Sequence, residues 1–321
     1  MMQKRKLANF LLYLVAAFLA VCYVGYGKAV LIAADDDLSE EIYEVEVPCK
    51  TNDPPENKCL PKRCKRTIKD DVFSEDDIQI LRSIALKGYA TRGDGEGGPT
   101  ILDINTGYIR DSAGLDNLFT KSDSNTIFAP DDFGHYGKII RKLRDEVLLA
   151  TGAQDLYFTA PTFITRLDGR NGWEPRDFHD QYWHVHADRN NTLHYHYSGL
   201  LYLSMFKKDF TGGRVLFYDA DSSRLEQVVE PRPGRMLIFS SGHENPHKVE
   251  RVTSGQRLVL AFWFTCNPEK QFEIFLDGNA HTTFSKKVGA SYLLQKQQQE
   301  RQNAQDHSLE KPKSTADAED L

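Results

Sequence analysis

Eight short runs of β-branched and aromatic residues follow one another between residues 158 and 265, and they constrain the fold of this chain more than any other feature. Turns rich in glycine, proline and aspartate separate them. The runs are FTAPTFITRL, YWHVHA, GLLYLSMF, GRVLFYD, LEQVV, GRMLIFS, HKVERV and RLVLAFWFT. Closely spaced short strands of this kind are typical of a double-sheet β-barrel or jelly roll. We therefore predict one barrel domain over residues 156–285.

Upstream of these runs, the sequence carries two amphipathic helical patterns. Ser74-Glu75-Asp76-Asp77 is an N-terminal capping signal, and apolar residues recur after it at helical spacing as far as Gly88. A second helix is predicted over residues 133–150, where one face is apolar and the opposite face carries lysine and arginine. We therefore predict an α+β fold in which a helical region, residues 71–155, supports the barrel.

The N-terminal segment differs from the rest of the chain because it is apolar and uncharged. Lys4, Arg5 and Lys6 precede 21 uncharged residues at 7–27, enough at about 1.5 Å each to cross a hydrocarbon core of about 30 Å. The basic front favours a cytosolic N-terminus. We predict cytosolic residues 1–6, a transmembrane signal-anchor at 7–34, and a single-pass type II membrane protein whose body lies in the lumen of the endoplasmic reticulum or Golgi. A cleaved signal peptide, ending near Ala33 and Ala34, is the alternative.

Residues 35–70 are predicted to form a lumenal stem, because charged residues, proline and cysteine dominate there without an apolar period. Cys49, Cys59 and Cys64 lie in this stem, and Cys266 lies in the barrel range. In an oxidising compartment, four thiols can form up to two disulfides in three connectivities. The sequence does not choose among these pairings.

Composition gives three further expectations. From Gln295 onwards the chain is polar and of low complexity, so residues 290–321 are predicted to be a disordered tail. Asn190-Asn191-Thr192 is an acceptor site for N-glycosylation, which a lumenal location would expose. The formal net charge of −6 shows no basic excess and therefore no indication of a nucleic-acid partner.

Three side chains around the second and seventh runs form a candidate metal site. His186 and Asp188 are two residues apart in YWHVHA, so both would leave the same face of a strand. His247, at the start of HKVERV, supplies a second imidazole. Two imidazoles and one carboxylate on one face of an octahedron leave three positions open, which suits non-haem Fe(II).

Arg257 follows His247 by ten residues and stands among apolar and aromatic residues. A buried arginine without a partner is costly, and its planar guanidinium fits a carboxylate. We interpret Arg257 as the clamp for the distal carboxylate of a dicarboxylic co-substrate.

The remaining histidines and the aromatic residues of the last run are not expected to bind the metal directly. His184 shares the predicted strand face with His186 and is a candidate contact for substrate or for the metal ligands. Loop or solvent positions are expected for His179, His194, His196, His243 and His281. Phe262 and Trp263 alternate within an apolar run, which favours core positions.

The sequence resembles the prolyl 4-hydroxylase-like branch of the 2-oxoglutarate and Fe(II)-dependent dioxygenases over residues 157–266. That branch shows H-x-D, a distal histidine, and then a glycine eight positions and a basic residue ten positions after it. The matching residues are His186, Asp188, His247, Gly255 and Arg257. Further matches are F-x-G-G at residues 210–213, the strand PxxGRMLIF, and LLYLS, whose Tyr202 corresponds to a tyrosine that helps to hold 2-oxoglutarate.

The resemblance implies a double-stranded β-helix (jelly-roll) fold and a defined reaction. His186, Asp188 and His247 would hold one Fe(II) per subunit. Arg257 and Tyr202 would bind the far carboxylate of 2-oxoglutarate through charge-assisted hydrogen bonds. With O2 as the other co-substrate and ascorbate as reductant, the protein would hydroxylate a protein or peptide of the secretory pathway, at a prolyl or similar residue, and release succinate and CO2.

Three alternatives compete with this interpretation. A cupin-type metalloprotein would follow its HxH pair with a glutamate, but none occurs in the four positions after His186. A nucleic-acid demethylase of the same superfamily carries an R-x5-R pair well beyond the distal histidine. Arg251 and Arg257 have that spacing, but Arg251 lies too close to His247. A catalytically silent lumenal binding module is the third alternative, and the complete set of ligands and clamp weighs against it.

Overall fold

The computed structural model describes residues 29–38, 42–50, 64–93, 97–121, 127–159, 162–170, 172–176 and 180–272. Its helices are α1 (Glu75–Ala90), α2 (Leu118–Lys121), α3 (Pro130–Thr151) and α4 (Asp188–Asn191), with a 3-10 turn at Pro268–Lys270. Its strands are β1 (Val30–Ile32), β2 (Tyr43–Val47), β3 (Cys64–Lys69), β4 (Gly98–Asp103), β5 (Tyr108–Asp111), β6 (Gly114–Asn117), β7 (Tyr157–Phe158), β8 (Phe163–Asp168), β9 (Tyr197–Tyr202), β10 (Phe210–Thr211), β11 (Val215–Tyr218), β12 (Leu225–Val229), β13 (Met236–Ser240), β14 (His247–Val249) and β15 (Ser254–Thr265).

The strands form two sheets. The larger has the order β2-β3-β13-β9-β15-β8-β4-β5-β6, with β7 and β10 also paired to β15, and the smaller has the order β1-β12-β11-β14. Buried apolar side chains from both sheets share one cluster, in which the rings of Phe217 on β11 and Phe239 on β13 are 5.1 Å apart. The two sheets therefore pack face to face. The fold is sheet-rich with few helices, as predicted.

Helices α1 and α3 cover the other face of the larger sheet. Their buried residues form a second core with side chains of that sheet, including Ile164 of β8 and Leu260 of β15. The predicted capping box is present, because the Ser74 hydroxyl accepts from the Asp77 backbone N–H and the Asp77 carboxylate accepts from the Ser74 backbone N–H, both at 3.1 Å. Both predicted helices are confirmed, and each extends slightly beyond its predicted bounds.

The predicted helical region, residues 71–155, also contains strands β4, β5 and β6. Strand β4 pairs with β8, so this hairpin extends the larger sheet. The turn between β4 and β5 is built by Asp103, whose carboxylate accepts hydrogen bonds from the backbone N–H of Asn105 (2.9 Å) and the hydroxyl of Thr106 (2.8 Å). Short polar side chains stabilise turns in this way. The predicted helical region, residues 71–155, therefore contains both predicted helices and, between them, three strands that the sequence did not predict.

The prediction of an irregular stem at residues 35–70 is wrong for β2 and β3. Strand β3 pairs with β2 on one side and with β13 on the other, which makes both strands part of the larger sheet. In place of an exposed stem residue, Arg66 of β3 contributes a buried guanidinium to the interior. A disulfide joins Cys49 to Cys64, one of the pairings that the sequence left open.

The predicted signal-anchor lies largely outside the described residues, which begin at residue 29. Its last part, Val30–Ile32, is strand β1, which pairs in parallel with β12 in the smaller sheet. Within the described part of the chain, no helix has the length and hydropathy needed to cross a membrane. The predicted C-terminal tail, residues 290–321, also lies outside the described residues.

Candidate metal centre and co-substrate site

The three predicted metal ligands lie together at one end of the smaller sheet. One ligand atom from each of His186, Asp188 and His247 lies within 4.8 Å of the other two. The Nε2 atom of His186 is 3.3 Å from Oδ1 of Asp188, and the Nε2 atom of His247 is 3.8 Å from that same oxygen. The three residues that the sequence grouped as a candidate metal site therefore lie together in the structure.

The backbone brings the two histidines side by side. The N–H of His186 donates to the carbonyl oxygen of His247 at 2.9 Å, and the reverse bond is 2.8 Å. This single bridge is the only regular pairing of the run YWHVHA, so the prediction that the run is a strand is wrong. The chain turns at Ala187 into α4, because Asp and Asn residues favour turns over strands. Asp188 consequently reaches the site from the first residue of a helical turn.

Hydrogen bonds to backbone carbonyls orient both imidazole rings. Nδ1–H of His186 donates to the carbonyl oxygen of His184, and Nδ1–H of His247 donates to that of Asn245, each at 3.0 Å. A carbonyl oxygen can only accept, so Nδ1 of each ring must carry the proton. In the neutral imidazole, the lone pair is then on Nε2, the atom that faces Asp188.

Asp188 is held in a similar way by partners on its far side. Its Oδ2 atom accepts hydrogen bonds from the Ser198 hydroxyl at 2.6 Å and from the indole N–H of Trp263 at 3.0 Å, which leaves Oδ1 facing the histidines. Burial raises the pKa of the Asp188 carboxyl, but His247, His186 and Ser198 outweigh it, and the net pKa lies below its usual range. Asp188 is therefore an ionised carboxylate near neutral pH.

The two histidines differ in their protonation equilibria. Burial lowers the pKa of His186, but its hydrogen bond and charge interaction with Asp188 outweigh that effect, so its net pKa is raised. His247 is more deeply buried, and burial leaves its pKa lowered despite the attraction of Asp188. A neutral His247 keeps its Nε2 lone pair for a metal. Two imidazole nitrogens and one carboxylate oxygen form a donor set that suits Fe(II).

Arg257 and Tyr202 lie on β15 and β9 of the larger sheet, and both are almost completely buried. Arg257 is 1% exposed and Tyr202 is 0% exposed. The guanidinium carbon of Arg257 lies 5.4 Å from the centre of the Tyr202 ring. Nε of Arg257 donates to the carbonyl oxygen of Gly213 at 2.8 Å. Its Nη2 atom and the Tyr202 hydroxyl have no hydrogen-bond partner among the described residues.

Buried donors without partners are costly, and here they define a place for an anion. Burial raises the pKa of Tyr202 to about 12, against the opposing charge of Arg257, so its hydroxyl stays protonated and able to donate. Burial lowers the pKa of Arg257, with Tyr202 opposing. A carboxylate would satisfy both side chains at once and would restore a counter-charge to the guanidinium.

Gly255, which the sequence pattern placed two residues before Arg257, is required by the backbone. Its φ is +70°, and a Cβ atom there would lie 2.1 Å from the backbone oxygen of Asp209. Only glycine combines that conformation with so close an approach. This glycine lets β10 pair with the start of β15 and so sets the position of Arg257.

The comparisons with known proteins agree with this site. A model of the family described as the 2OG-Fe(II) oxygenase superfamily matches residues 176–265. Over 258 residues the chain is 36% identical to the 2-oxoglutarate and iron-dependent oxygenase domain-containing protein 3 of Mus musculus, covering 75% of this chain and 80% of that protein. The chain belongs to the 2OG-Fe(II) oxygenase superfamily.

This oxygenase has further relatives at lower similarity. It is 29% identical over 235 residues to prolyl 3-hydroxylase 2 of Rattus norvegicus, a match that covers 64% of this chain and 30% of that protein. Among solved structures, a prolyl hydroxylase from Trichoplax adhaerens in complex with a hypoxia inducible factor oxygen degradation domain peptide fragment matches at 14% identity. That match has a TM-score of 0.41 and covers 64% of this chain and 85% of that chain.

The resemblance drawn from the sequence is thereby confirmed. The oxygenase is a 2-oxoglutarate-dependent dioxygenase that uses Fe(II) and 2-oxoglutarate. Its described residues fit both groups, since the His-Asp-His cluster offers a metal donor set and the unpartnered donors of Arg257 and Tyr202 suit a buried carboxylate.

Other predicted residues occupy varied positions in the oxygenase. His184 lies with its ring 5.1 Å from that of His186, while its own Nδ1 is bonded to the backbone oxygen of Gln181. His196 is buried and accepts a hydrogen bond from the backbone N–H of Cys266, whereas His243 is exposed, as expected. His179 and His281 lie outside the described residues.

Phe262 is a core residue, as predicted. Trp263 also contacts the metal site through its side chain. Its indole N–H bond to Asp188 joins residues 75 positions apart. Alternation within an apolar run gives no signal for such a contact, so sequence reasoning missed both Trp263 and Ser198. Only the HxD pattern, which marks Asp188, indicates that some partner must hold the second carboxylate oxygen.

Proposed function

We propose that the oxygenase binds one Fe(II) through His186, Asp188 and His247, and that it hydroxylates a protein substrate at a prolyl or similar residue with release of succinate and CO2. The convergence of three oriented donor atoms within 4.8 Å carries this proposal. When bound, the iron supplies the redox chemistry that couples 2-oxoglutarate decarboxylation to C–H hydroxylation. The side chains of this protein supply binding, orientation and a low-dielectric surrounding.

Arg257 and Tyr202 bind the distal carboxylate of 2-oxoglutarate in this proposal. Their unpartnered buried donors support that role, because the cost of burying them is offset only when an acceptor is present. Nε of Arg257 stays on the carbonyl of Gly213, which fixes the direction in which the guanidinium presents its remaining N–H groups.

The strand arrangement supports a double-stranded β-helix around this site. Strands β8, β15, β9 and β13 are neighbours in the larger sheet, while the bridge between His186 and His247 extends the smaller sheet β1-β12-β11-β14. From β8 onwards the chain crosses repeatedly between the two facing sheets, with β11 and β12 forming a hairpin within the smaller one, as in a jelly roll. The metal ligands come from the two adjacent segments at one edge of the smaller sheet.

The proposed setting is the lumen of the endoplasmic reticulum or Golgi, with ascorbate as reductant and with the part of the predicted anchor that precedes β1 as a type II anchor. The Cys49–Cys64 disulfide supports an oxidising compartment. Asn190 is exposed, which suits the glycosylation predicted there. The relatives named prolyl 3-hydroxylase 2 support a protein or peptide substrate with a prolyl target.

Succinate release tests the activity directly. Purified protein would be incubated with Fe(II), 2-oxoglutarate, ascorbate and proline-containing peptides from secretory proteins, alongside His247→Ala and His243→Ala. His243 is the matched control, since it is exposed and lies four residues before the ligand. We expect turnover by the wild type and by His243→Ala, and none by His247→Ala. Absence of both Fe(II) binding and turnover in the wild type would instead support a catalytically silent binding module.

The substrate is found by comparing secretory proteins from cells with and without this oxygenase. Mass spectrometry should show peptides that carry one added oxygen only when the enzyme is present and active. Restoring the His247→Ala variant should leave those peptides unmodified. Equal modification in all cells would contradict a hydroxylase of secretory proteins.

A further inference from the structure

Resting on the function proposed above, we infer that Arg66 is a positioning residue for the metal ligand His247. Arg66 lies on β3, in the segment that the sequence predicted to be a lumenal stem. It is 1% exposed, and its strand pairs with β13, whose last residue, Ser240, begins the loop that leads to His247. A charged side chain buried so deeply must have defined partners.

The first route from Arg66 to the metal site runs through Asn245. Nε of Arg66 donates to the side-chain oxygen of Asn245 at 2.7 Å. The amide nitrogen of that same side chain donates to the backbone oxygen and the hydroxyl of Ser240, both at 2.9 Å. The backbone oxygen of Asn245 in turn accepts from Nδ1–H of His247 at 3.0 Å. Arg66 therefore fixes the residue that sets the orientation of the imidazole.

The second route is a cluster of aromatic rings in tilted and edge-to-face contact. The guanidinium of Arg66 lies over the ring of Phe217, 4.6 Å from its centre. The Phe217 ring is 5.6 Å from the ring of His247, and the Phe239 ring is 4.8 Å from it. Arg66 thus packs behind the same imidazole that it orients through hydrogen bonds. Its hydrogen bonds and ring contact among the described residues go to Asn245, Tyr218, Glu226 and Phe217, and none goes to His186 or Asp188, so its effect should fall on one ligand.

Partners outside the site hold Arg66 itself in place. Its Nη2 atom donates to the carboxylate of Glu226 at 3.2 Å and to the backbone oxygen of Tyr218 at 3.4 Å. The Cys49–Cys64 disulfide ties the start of β3, and the backbone N–H of Lys50 contacts the carboxylate of Glu244, next to Asn245, at 3.4 Å. The N-terminal strands therefore brace the loop that ends at the distal ligand.

Metal titration of Arg66→Met and Lys65→Met tests this inference. Lys65 is the matched control, because it lies on the same strand and forms its ion pair with Glu44, away from the loop. Mn(II) affinity would be measured with 2-oxoglutarate present, and hydrogen exchange at the amides of residues 240–247 would be measured without metal. For Arg66→Met we expect Mn(II) affinity to fall about 10- to 100-fold, as for other residues that orient metal ligands, and amide exchange in the loop to accelerate. Lys65→Met should match the wild type in both.

Two further variants separate positioning from general stability. If Arg66 acts through Asn245, then Asn245→Ala should weaken Mn(II) binding, and the double variant should lose less than the two single losses combined. Arg66→Lys, which retains the charge and most of the volume, should fold and show an intermediate Mn(II) affinity. If Arg66→Met does not fold, the Mn(II) affinity of Arg66→Lys tests the inference in its place.

The outcomes distinguish this inference from the proposed function. Equal Mn(II) affinities in wild type, Arg66→Met and Arg66→Lys, or fully additive losses in the double variant, would overturn the inference alone. Failure of the wild type to bind Mn(II) or Fe(II) would overturn the proposed function, and the positioning role with it.

Discussion

Arg235 and Arg257 are both buried arginines at strands of the larger sheet, but their surroundings differ. Arg235 is 0% exposed and its guanidinium is fully bonded. Nε and Nη2 each donate to one oxygen of Asp70 at 2.8 Å, and the remaining N–H groups reach backbone oxygens of Ala33, Asp36 and Glu230. Arg257 is 1% exposed, yet its Nε donates to the carbonyl oxygen of Gly213 and its Nη2 has no hydrogen-bond partner among the described residues.

The difference separates a structural cation from one that awaits a ligand. Arg235 joins the N-terminal segment to the sheet through a complete set of hydrogen bonds, so it has no capacity left for another anion. Arg257 carries the same charge at similar burial without a carboxylate, and folding must bear that cost. A protein tolerates such a cost where the missing acceptor arrives with a ligand. Changing each arginine in turn should therefore produce opposite effects on stability and on binding.

Arg235→Met should produce the largest loss of stability. It removes the bidentate partner of the buried Asp70 carboxylate and leaves Arg232, 3.9 Å away, as the remaining counter-charge. Removing one partner of a buried ion pair typically costs about 3–5 kcal/mol. Urea denaturation would measure the free energy of unfolding, and calorimetry would measure 2-oxoglutarate binding to the folded protein. We expect a large fall in the first and little change in the second. A stable Arg235→Met variant that no longer binds 2-oxoglutarate would reverse the assignment of the two arginines.

Arg257→Met should have the opposite effect. The free energy of unfolding without 2-oxoglutarate should stay level or rise, because a buried charge without a carboxylate is replaced by an apolar side chain. The affinity for 2-oxoglutarate should fall by about 2–5 kcal/mol, or at least about thirtyfold, since its carboxylate loses its charged partner. Calorimetric titration of metal-loaded protein checks the affinity. Unchanged binding would show that another residue holds the carboxylate.

Tyr202→Phe should show the smallest effect. It removes a neutral hydroxyl that donates to the same carboxylate, and such a bond contributes about 0.5–1.5 kcal/mol. We expect the dissociation constant of 2-oxoglutarate to rise by up to about tenfold, with no loss of stability in its absence. The same titration measures this change, and a stability loss larger than the binding loss would place the Tyr202 hydroxyl in the fold instead of the site.

Much of the site could be predicted because its signals are local. His186 and Asp188 are two residues apart, and the spacing from His247 to Gly255 and Arg257 spans one short connection between β14 and β15. The apolar runs likewise predicted strands correctly in seven of eight cases. The exception is the run that contains His186. There a single bridge is followed by a turn, which short polar residues favour.

The contacts that the sequence did not predict join distant segments. Trp263 meets Asp188 across 75 residues, Arg66 meets Asn245 across 179, and Arg235 meets Asp70 across 165. The charged residues at 35–70 led to the prediction of a stem, because their partners are not near them in sequence. Strand β1 was missed for the same reason, because the apolar N-terminal run gives no indication that Val30–Ile32 pairs with the distant strand β12.

The most direct measurement is a crystal structure of the oxygenase with Fe(II) and 2-oxoglutarate, grown without oxygen and with iron located by its anomalous scattering. The account predicts one iron bonded to Nε2 of His186, Nε2 of His247 and Oδ1 of Asp188, with the far carboxylate of 2-oxoglutarate on Arg257 and Tyr202. Iron bound elsewhere, or a 2-oxoglutarate carboxylate that leaves Arg257 without a partner, would contradict it.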